Sequence, residues 1–437
     1  MKEGFSKLNK SEKIDWVINN FFNSSKTDFE LLKKYWSNDD ELQKIHDEFS
    51  ENTISNFFLP LGIAPNFIID KNNYTIPMAT EESSVVAAAC KSAKFWAKRG
   101  GFKTEIIDLI KTGQVHFKYD GSKEKIFKFF KQIKKRLISD CSEITKNMKE
   151  RGGGILDIEL IDKTDDIENY YQICSRFNTV DSMGANFINS CLEQYAKTFE
   201  TEFLNSKFFE KDEKLEIIMS ILSNYVPECL VRAEVRCKVD ELKNKDIQDP
   251  KIFAQKFVDA IKIAKNDIGR AVTHNKGIMN GIDSVVIATG NDFRAVEACA
   301  HAYASKNGNY SSLSHARVQK DEFVFWMEIP LAVGTVGGIT NLHPLVKWSL
   351  KLLKNPSASD LMRIIVVAGL AQNFAALRSL ITSGIQLGHM KMHLINILNS
   401  LDADNSEKKT LVEYFKKHKV SFRKAEKALT KLRRNEL

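Results

Sequence analysis

The strongest constraint on the fold is a change of hydrophobic period inside the chain. Over most of its length apolar residues recur at helical spacing or crowd into Ala-rich runs, but between residues 111 and 225 they alternate. Val115-His116-Phe117-Lys118-Tyr119 and Ile155-Leu156-Asp157-Ile158-Glu159-Leu160-Ile161 carry the period of two that lays one face of a strand on a core. Between them Lys123 to Lys149 is Lys-rich and amphipathic. A further strand pattern, Tyr170 to Phe177, leads through Asp181-Ser182-Met183-Gly184-Ala185-Asn186 into a helix from Phe187. Strand, helix, strand, strand, helix is the order of a small ferredoxin-like unit. The expected class is therefore α+β. A large, mainly helical domain is formed by residues 1–112 and 226–379, a small α/β domain is inserted as residues 113–225, and a helical C-terminal piece follows as residues 380–437.

The flanks support that division. Ile14, Val17, Ile18 and Phe21 predict helix within the first 50 residues. Residues 54–78 are interrupted by Pro60, Gly62, Pro65 and Pro77, which predicts short strands and turns. Val85 to Cys90 predicts a buried helix closed near Gly100-Gly101. Later come a strand at Val231 to Arg236, a helix from Pro250 to Ile268, and Ser284 to Thr289, which fits either a strand or a buried helix end. Gly334 to Gly338 is a glycine-rich turn, and Ala368 to Ile381 a small-residue helix. A chain of 437 residues divided by about 150 per domain agrees with two or three units.

Composition narrows the class of function. The seven cysteines are odd in number, show no CxxC spacing and fall partly in apolar segments, which predicts reduced thiols in a cytoplasm. No uninterrupted apolar run approaches the ~20 residues of a membrane span. The start, Met-Lys-Glu-Gly-Phe-Ser, has no apolar stretch after its charge, so neither membrane insertion nor export is expected. Lys+Arg 64 against Asp+Glu 56 gives +8, and residues 406–437 hold eleven Lys/Arg against four Glu. Solvated helix, nucleic-acid patch and collar for an anionic ligand all fit such a tail; solvated helix is the default. The cations lack the interleaved aromatics of a base-stacking surface, so no nucleic-acid partner is expected.

Familiar phosphate and zinc signatures are missing: neither GxGxxG, GxxxxGK[ST] nor HExxH occurs. Gly388-His389-Met390-Lys391-Met392-His393 puts two imidazoles at i and i+4 without a third ligand nearby, which fits proton transfer at least as well as metal binding. Thr80-Glu81-Glu82-Ser83-Ser84 places paired carboxylates before a buried helix, where an ordinary acidic first turn would also stand. Arg270 to Gly281 packs Arg, His, Lys and Asn among Ile278 and Met279, an uncomfortable composition for a solvated loop. Gly290-Asn291-Asp292 closes an apolar run, either as a carboxylate at a strand end facing a crevice or as a plain Asx turn.

Taken in order, Glu51-Asn52-Thr53-Ile54, Pro77 to Ser84, Asp181 to Asn186, Thr273-His274-Asn275-Lys276-Gly277, Gly290-Asn291-Asp292 and Gly388-His389-Met390 resemble the 3-hydroxy-3-methylglutaryl-CoA (HMG-CoA) reductases, the soluble class II branch in particular. The likeness runs from about residue 5 to about residue 395. Ser55, Ser83 and Ser182 depart from the usual glycine, proline and alanine of the family's motifs; none removes a reacting group. The resemblance implies reduction of HMG-CoA to mevalonate and coenzyme A by two NADH or NADPH, through a hemithioacetal and mevaldehyde, or the reverse oxidation. It implies Lys276 as the oxyanion cation, Glu82 as an acid whose role calls for burial, Asp292 as the carboxylate coupling them, and His389 as proton donor to the CoA thiolate. Ser84, Arg270, Asn280 and His393 would hold substrate, and Asp181, Met183, Gly184 and Asn186 the dinucleotide, with Arg176 either a 2′-phosphate ligand or a surface residue. No metal is implied. The C-terminal piece would be a helical flap, and the chain a homodimer or larger homo-oligomer with the active site at the interface. Another CoA-dependent oxidoreductase, and more distantly a basic nucleic-acid-binding protein, are the competing readings.

Overall fold

The computed structural model describes residues 3–382, 394–415, 418, 420–434 and 436–437. The helical start is three short helices: α1 (Lys10–Phe21), α2 (Lys26–Lys34) and α3 (Asp40–Asp47). Asn9 and Glu12 form a reciprocal capping box at α1, and Ser25 and Asp39 cap the next two with their side chains.

The proline-punctuated stretch is more regular than its composition predicts. It forms an antiparallel hairpin of β1 (Leu61–Ile69) and β2 (Asn72–Ala79). Pro65 falls at the register shift between Ala64 and Phe67, and Pro77 stands opposite Ile63. In a two-stranded sheet every strand has a free edge, so a missing N–H need not break a ladder. The Ala-rich run is α4 (Val85–Ala97), whose small residues let it lie against the hairpin and the core.

Beyond β3 (Lys103–Ile106) the chain enters β4 (Lys111–Tyr119), α5 (Lys123–Ser139), α6 (Ser142–Glu150), β5 (Gly154–Asp162), β6 (Tyr170–Asn178), α7 (Ala185–Asn205) and β7 (Leu215–Leu222). These four strands pair antiparallel in the order β5-β6-β4-β7. Val115, Phe117, Tyr119, Ile158, Ile173 and Phe177 point to one face, where Phe129 of α5 and Phe199 of α7 complete a core separate from the rest. The Lys-rich stretch is two helices rather than one, broken at Asp140 and Cys141.

The chain returns through β8 (Leu230–Lys238), α8 (Pro250–Asn266), α9 (Ile268–Ala288), α10 (Phe293–Ala304), β9 (Ser314–Gln319), β10 (Glu322–Pro330), α11 (Pro344–Leu352) and α12 (Ala358–Ile381). A second four-stranded sheet runs β3-β8-β10-β9. It joins the hairpin, α4, α8 to α10 and α12 in one large hydrophobic core. Of the two sequence readings for Ser284 to Thr289, the buried helix end is the one found. Among the described residues α12 is long and apolar enough to span a bilayer, although no apolar run in the sequence suggested it. The discrepancy arises because Gln372 and Asn373 interrupt the run yet are themselves buried, and most of the helix lies inside the core.

Residues 394–400 are helical, and α13 (Asn405–Tyr414) and α14 (Phe422–Arg433) follow. Leu398, Leu411, Ala425 and Leu429 give this end a small core of its own. Arg423, Lys424 and Lys427 stand exposed on α14 while Ala425 and Ala428 are buried, the pattern of a solvated amphipathic helix.

Candidate active site

The last four residues of β2, Ile76 to Ala79, are buried, and the polar run Thr80 to Ser84 emerges where the strand ends. The Glu82 backbone N–H donates to the Thr80 hydroxyl at 3.2 Å. Ser84 takes φ 77°, a left-handed conformation costly for a residue with a side chain, and its hydroxyl leaves α4 uncapped. Strain of this kind concentrates where a side chain must be aimed.

Facing that loop is the middle of α9. The segment Arg270 to Gly281 is helical throughout, from the first turn of α9 onward, and the helical period sorts its mixed composition: Ala271, His274, Asn275, Ile278, Met279 and Gly281 are buried while Lys276 is exposed. His274 Nε2 lies 2.7 Å from the Ser314 hydroxyl, which donates to Asn373 Oδ1 at 2.8 Å. Burial, reinforced by Arg270 and His315, holds this imidazole neutral with a pKa of about 3. Asn275 donates to the Ser311 carbonyl and accepts from the Leu313 N–H. These two motif residues therefore pin α9 to β9 and α12, and Lys276 between the pinned turns points outward.

Lys276 Nζ donates to Glu82 Oε2 at 2.5 Å, joining residues 194 positions apart. The pair stands on a cavity of about 1050 Å³ whose walls are mainly apolar and include Phe58, Met279, Asn280, Ile287 and Leu345. One expectation fails here. The burial required of the Glu82 acid is absent in the single chain, where its side chain is 38% exposed and that of Lys276 60%. Among the described residues the neighbouring Phe57 (94%), Phe58 (60%) and Ile63 (51%) are exposed as well.

Of the two readings for Gly290-Asn291-Asp292, the structure favours the turn over the strand end. Asp292 sits at a helix start, capping α10 by accepting from the N–H groups of Arg294 and Ala295. Its carboxylate pairs with the Arg294 guanidinium, and no contact with Lys276 or Glu82 is present. Partial burial pushes its pKa up, but the Arg294 and N–H hydrogen bonds outweigh this and hold it below the usual range. Asp292 is not a wall of the cavity; its neighbours Gly290, Asn291 and Phe293 are.

Of the proposed substrate groups, Asn280 lines the cavity, whereas Ser84 and Arg270 do not. The Arg270 guanidinium, whose pKa burial lowers, has no acceptor among the described residues and is free to take a carboxylate. His389 and His393 lie outside the described residues. The sequence reading missed Asp283, which lines the cavity two turns along α9 from Lys276, together with Glu297 of α10. The i, i+7 spacing from Lys276 was the available signal.

The loop Asp181 to Asn186 lies against the glycine-rich turn, where a Cβ on Gly334 would stand 2.5 Å from the Met183 nitrogen. The Gly334 N–H donates to Asn291 Oδ1 on the cavity wall at 2.8 Å. Lys111, 5% exposed, donates to Thr179 Oγ1 at 2.6 Å and to the Ser182 carbonyl at 2.7 Å. Burial lowers its pKa against the pull of Asp181. Asp181 Oδ1 accepts from the Ala358 N–H at the start of α12, and Ser182 bridges to Val336 in the glycine-rich turn. Gly184 caps α7 at φ 90°, and a Cβ there would lie 2.4 Å from Thr179 Cγ2. Its reason for being glycine is thus this left-handed turn and the close approach of its own loop. With no side-chain cap on α7, the N–H groups of Ala185 and Asn186 have no partner among the described residues. Arg176 is engaged with Glu228 at 2.6 Å. Among the described residues no group of three or more His, Cys, Asp or Glu converges as a metal site would require.

Comparison with known proteins places these features in context. The profile of the hydroxymethylglutaryl-coenzyme A reductase family matches residues 11–394. The 3-hydroxy-3-methylglutaryl-coenzyme A reductase of Archaeoglobus fulgidus is 38% identical over 392 residues, covering 89% of this chain and 86% of the relative. The probable enzyme of that name from Borreliella burgdorferi is 34% identical, covering 89% and 88%. The class II reductase of Streptococcus pneumoniae, solved bound to NADPH in open conformations, superposes with a TM-score of 0.71 at 35% identity over 94% of this chain and 100% of its own.

Proposed function

The chain belongs to the hydroxymethylglutaryl-coenzyme A reductase family, oxidoreductases that reduce HMG-CoA to mevalonate, and from that premise we propose how its residues divide the work. The observation that carries the reading is the contact between Lys276 Nζ and Glu82 Oε2 on the edge of an apolar-walled cavity. Reduction of a carbonyl leaves negative charge on its oxygen, and this pair offers a cation and a proton donor within one hydrogen bond of each other. Lys276 holds the developing oxyanion and Glu82 gives it a proton, in both the thioester and the aldehyde stage. Asp292 completes the set once substrate draws it from Arg294 toward Lys276. Asn280, Ser84 and Arg270 hold the hydroxyl and free carboxylate of the substrate, with His393 a further contact. His389 protonates the departing CoA thiolate.

A reduced nicotinamide dinucleotide, NADH or NADPH, supplies the hydride at each of the two stages. Asp181, Met183, Gly184 and Asn186 would hold it, and the uncapped N–H groups at the start of α7 fit a pyrophosphate. Arg176, tied to Glu228, is left out of that set. The S. pneumoniae relative, solved with NADPH, supports a nicotinamide here. Since Lys111 ties the loop to β4, Lys111→Met should raise the nicotinamide KM about tenfold or more, on the scale of a hydrogen bond to a charged group. The HMG-CoA KM should stay within about twofold. Equal weakening of both would remove the loop from the cofactor site.

The small domain, residues 113–225, is read as a ferredoxin-like cofactor domain; its strand order and separate core support this. Residues 1–112 and 226–379 form the substrate domain, and 380–437 a helical flap. The exposed Phe57, Phe58 and Ile63 beside an uncovered Glu82 favour a second copy of the chain over this edge, giving a homodimer as minimal unit. Purified protein should oxidise a reduced nicotinamide with HMG-CoA and not with other acyl-CoA thioesters, while sedimenting as a dimer or larger. Comparable rates with an unrelated acyl-CoA, or a fully active monomer, would overturn the respective reading.

A further inference from the structure

The cavity beneath Lys276 has a second ionisable feature that the reaction as read above does not use. Asp283 stands on α9 at i+7 from Lys276, and Glu297 reaches the same space from α10. Asp283 Oδ1 is fully buried and has no hydrogen-bond partner. Two carboxyl groups meeting in a partly desolvated space cannot both ionise cheaply. Burial first, and hydrogen bonding and repulsion from Glu297 second, raise the Asp283 pKa to about 8, with Lys276 pulling weakly the other way. Among the described residues the remaining ionisable groups around the cavity are Glu81 and Glu82 from the loop before α4, His46 from α3 and His343 at the start of α11. The Asp292–Arg294 pair stands at the start of α10.

We propose that the Asp283–Glu297 carboxyl pair is a positioning element of the reduction, sharing a single negative charge so that Lys276 keeps its field for the reacting carbonyl oxygen. The proposal rests on the reading of Lys276 as the oxyanion cation. A second full charge on Asp283 would draw the ammonium down into the cavity floor and oppose the negative charge that hydride addition places on the substrate oxygen. The acid form also leaves Asp283 with an O–H to donate, and no proton is consumed by the pair during turnover.

The sign of the pH effect follows. Asp283 holds its proton in the folded chain at pH values where the unfolded carboxyl has lost it, so the folded state binds more protons between about pH 4 and about pH 8. Its stabilising contribution is complete below the unfolded pKa and is lost as pH rises through about 8. The catalytic field should weaken as pH rises through about 8 and above, where Asp283 gains its charge.

The test compares wild type, Asp283→Asn and Glu297→Gln as full chains in their native assembly. HMG-CoA reduction is followed from about pH 6 to about pH 10 alongside thermal unfolding at each pH. Wild-type kcat should decline about tenfold per pH unit above about pH 8. Asp283→Asn, with a permanently neutral amide, should decline less than about twofold per unit above about pH 8 and should lose the fall of Tm that wild type shows between about pH 6 and about pH 8. Glu297→Gln removes the repelling partner and should move the decline to lower pH. If folded Asp283→Asn keeps the wild-type decline, or if Glu297→Gln leaves it in place, the proposal is overturned. An infrared titration separates this from failure of the parent reading. A carboxylic-acid band lost near pH 8 in wild type and missing in Asp283→Asn reports the pair even in a preparation that reduces nothing. Absence of that band in wild type overturns the shared charge directly.

Discussion

Lys276→Met lowers kcat for HMG-CoA reduction by about 10²- to 10³-fold, roughly 3–4 kcal/mol, the scale of losing one oxyanion-stabilising group. Methionine keeps much of the side-chain bulk and removes the charge. Because Lys276 is largely exposed and the helix around it is pinned by His274 and Asn275, the loss should appear without a fall in Tm. Its only ionic partner among the described residues is Glu82, on a loop, so the core is not involved. The HMG-CoA KM should change little, since the cation acts on charge that exists only in the transition state. Steady-state kinetics beside a thermal melt decides it: a variant retaining more than roughly a tenth of wild-type kcat, a loss of only ~1.4 kcal/mol, removes Lys276 from the role. Reduction of added mevaldehyde should fall in parallel, because both stages place charge on a carbonyl oxygen.

His389→Gln should separate those two stages. Only the first releases CoA, and a thiolate of pKa near 8.5 re-adds to the aldehyde unless a proton traps it. An imidazole that cycles near neutral pH suits that task. Loss of a general acid costs about 10²- to 10⁴-fold, so HMG-CoA reduction should fall by about that much, while reduction of free mevaldehyde falls far less. Both half-reactions measured on one purified sample give the answer. Parallel losses would mean that the residue serves packing in the C-terminal piece and not proton transfer to sulfur.

Much of the site's membership was legible in the chain, and much of its wiring was not. The motif containing Glu82 and that containing Lys276 could each be singled out locally, from polar groups crowded among apolar ones. Their meeting is a tertiary fact, made by a loop leaving β2 and a helix 194 residues later. Asp292 shows the limit most plainly. Its place after Gly290-Asn291 marked it as noteworthy, but a carboxylate before a helix satisfies the nearest N–H groups first, and Arg294 two residues on is a closer cation than Lys276. The burial expected of Glu82 likewise depended on what covers the loop, which no local pattern states.

By itself the sequence determined the alternation of β4 to β6, the helical faces, the small-residue character of α4 and α12, and the family. Each is written in local periodicity and residue type, because backbone geometry forces side chains of a strand or helix onto alternate or recurring faces. The tertiary structure alone decided that Asp283 meets Glu297, that Lys111 braces the loop before α7, and that His274 is a neutral core clamp rather than an acid–base group. Those outcomes turn on desolvation and on which charge stands within a few ångströms. Such distances are set by packing between elements far apart in the chain, and a one-dimensional pattern carries no term for them.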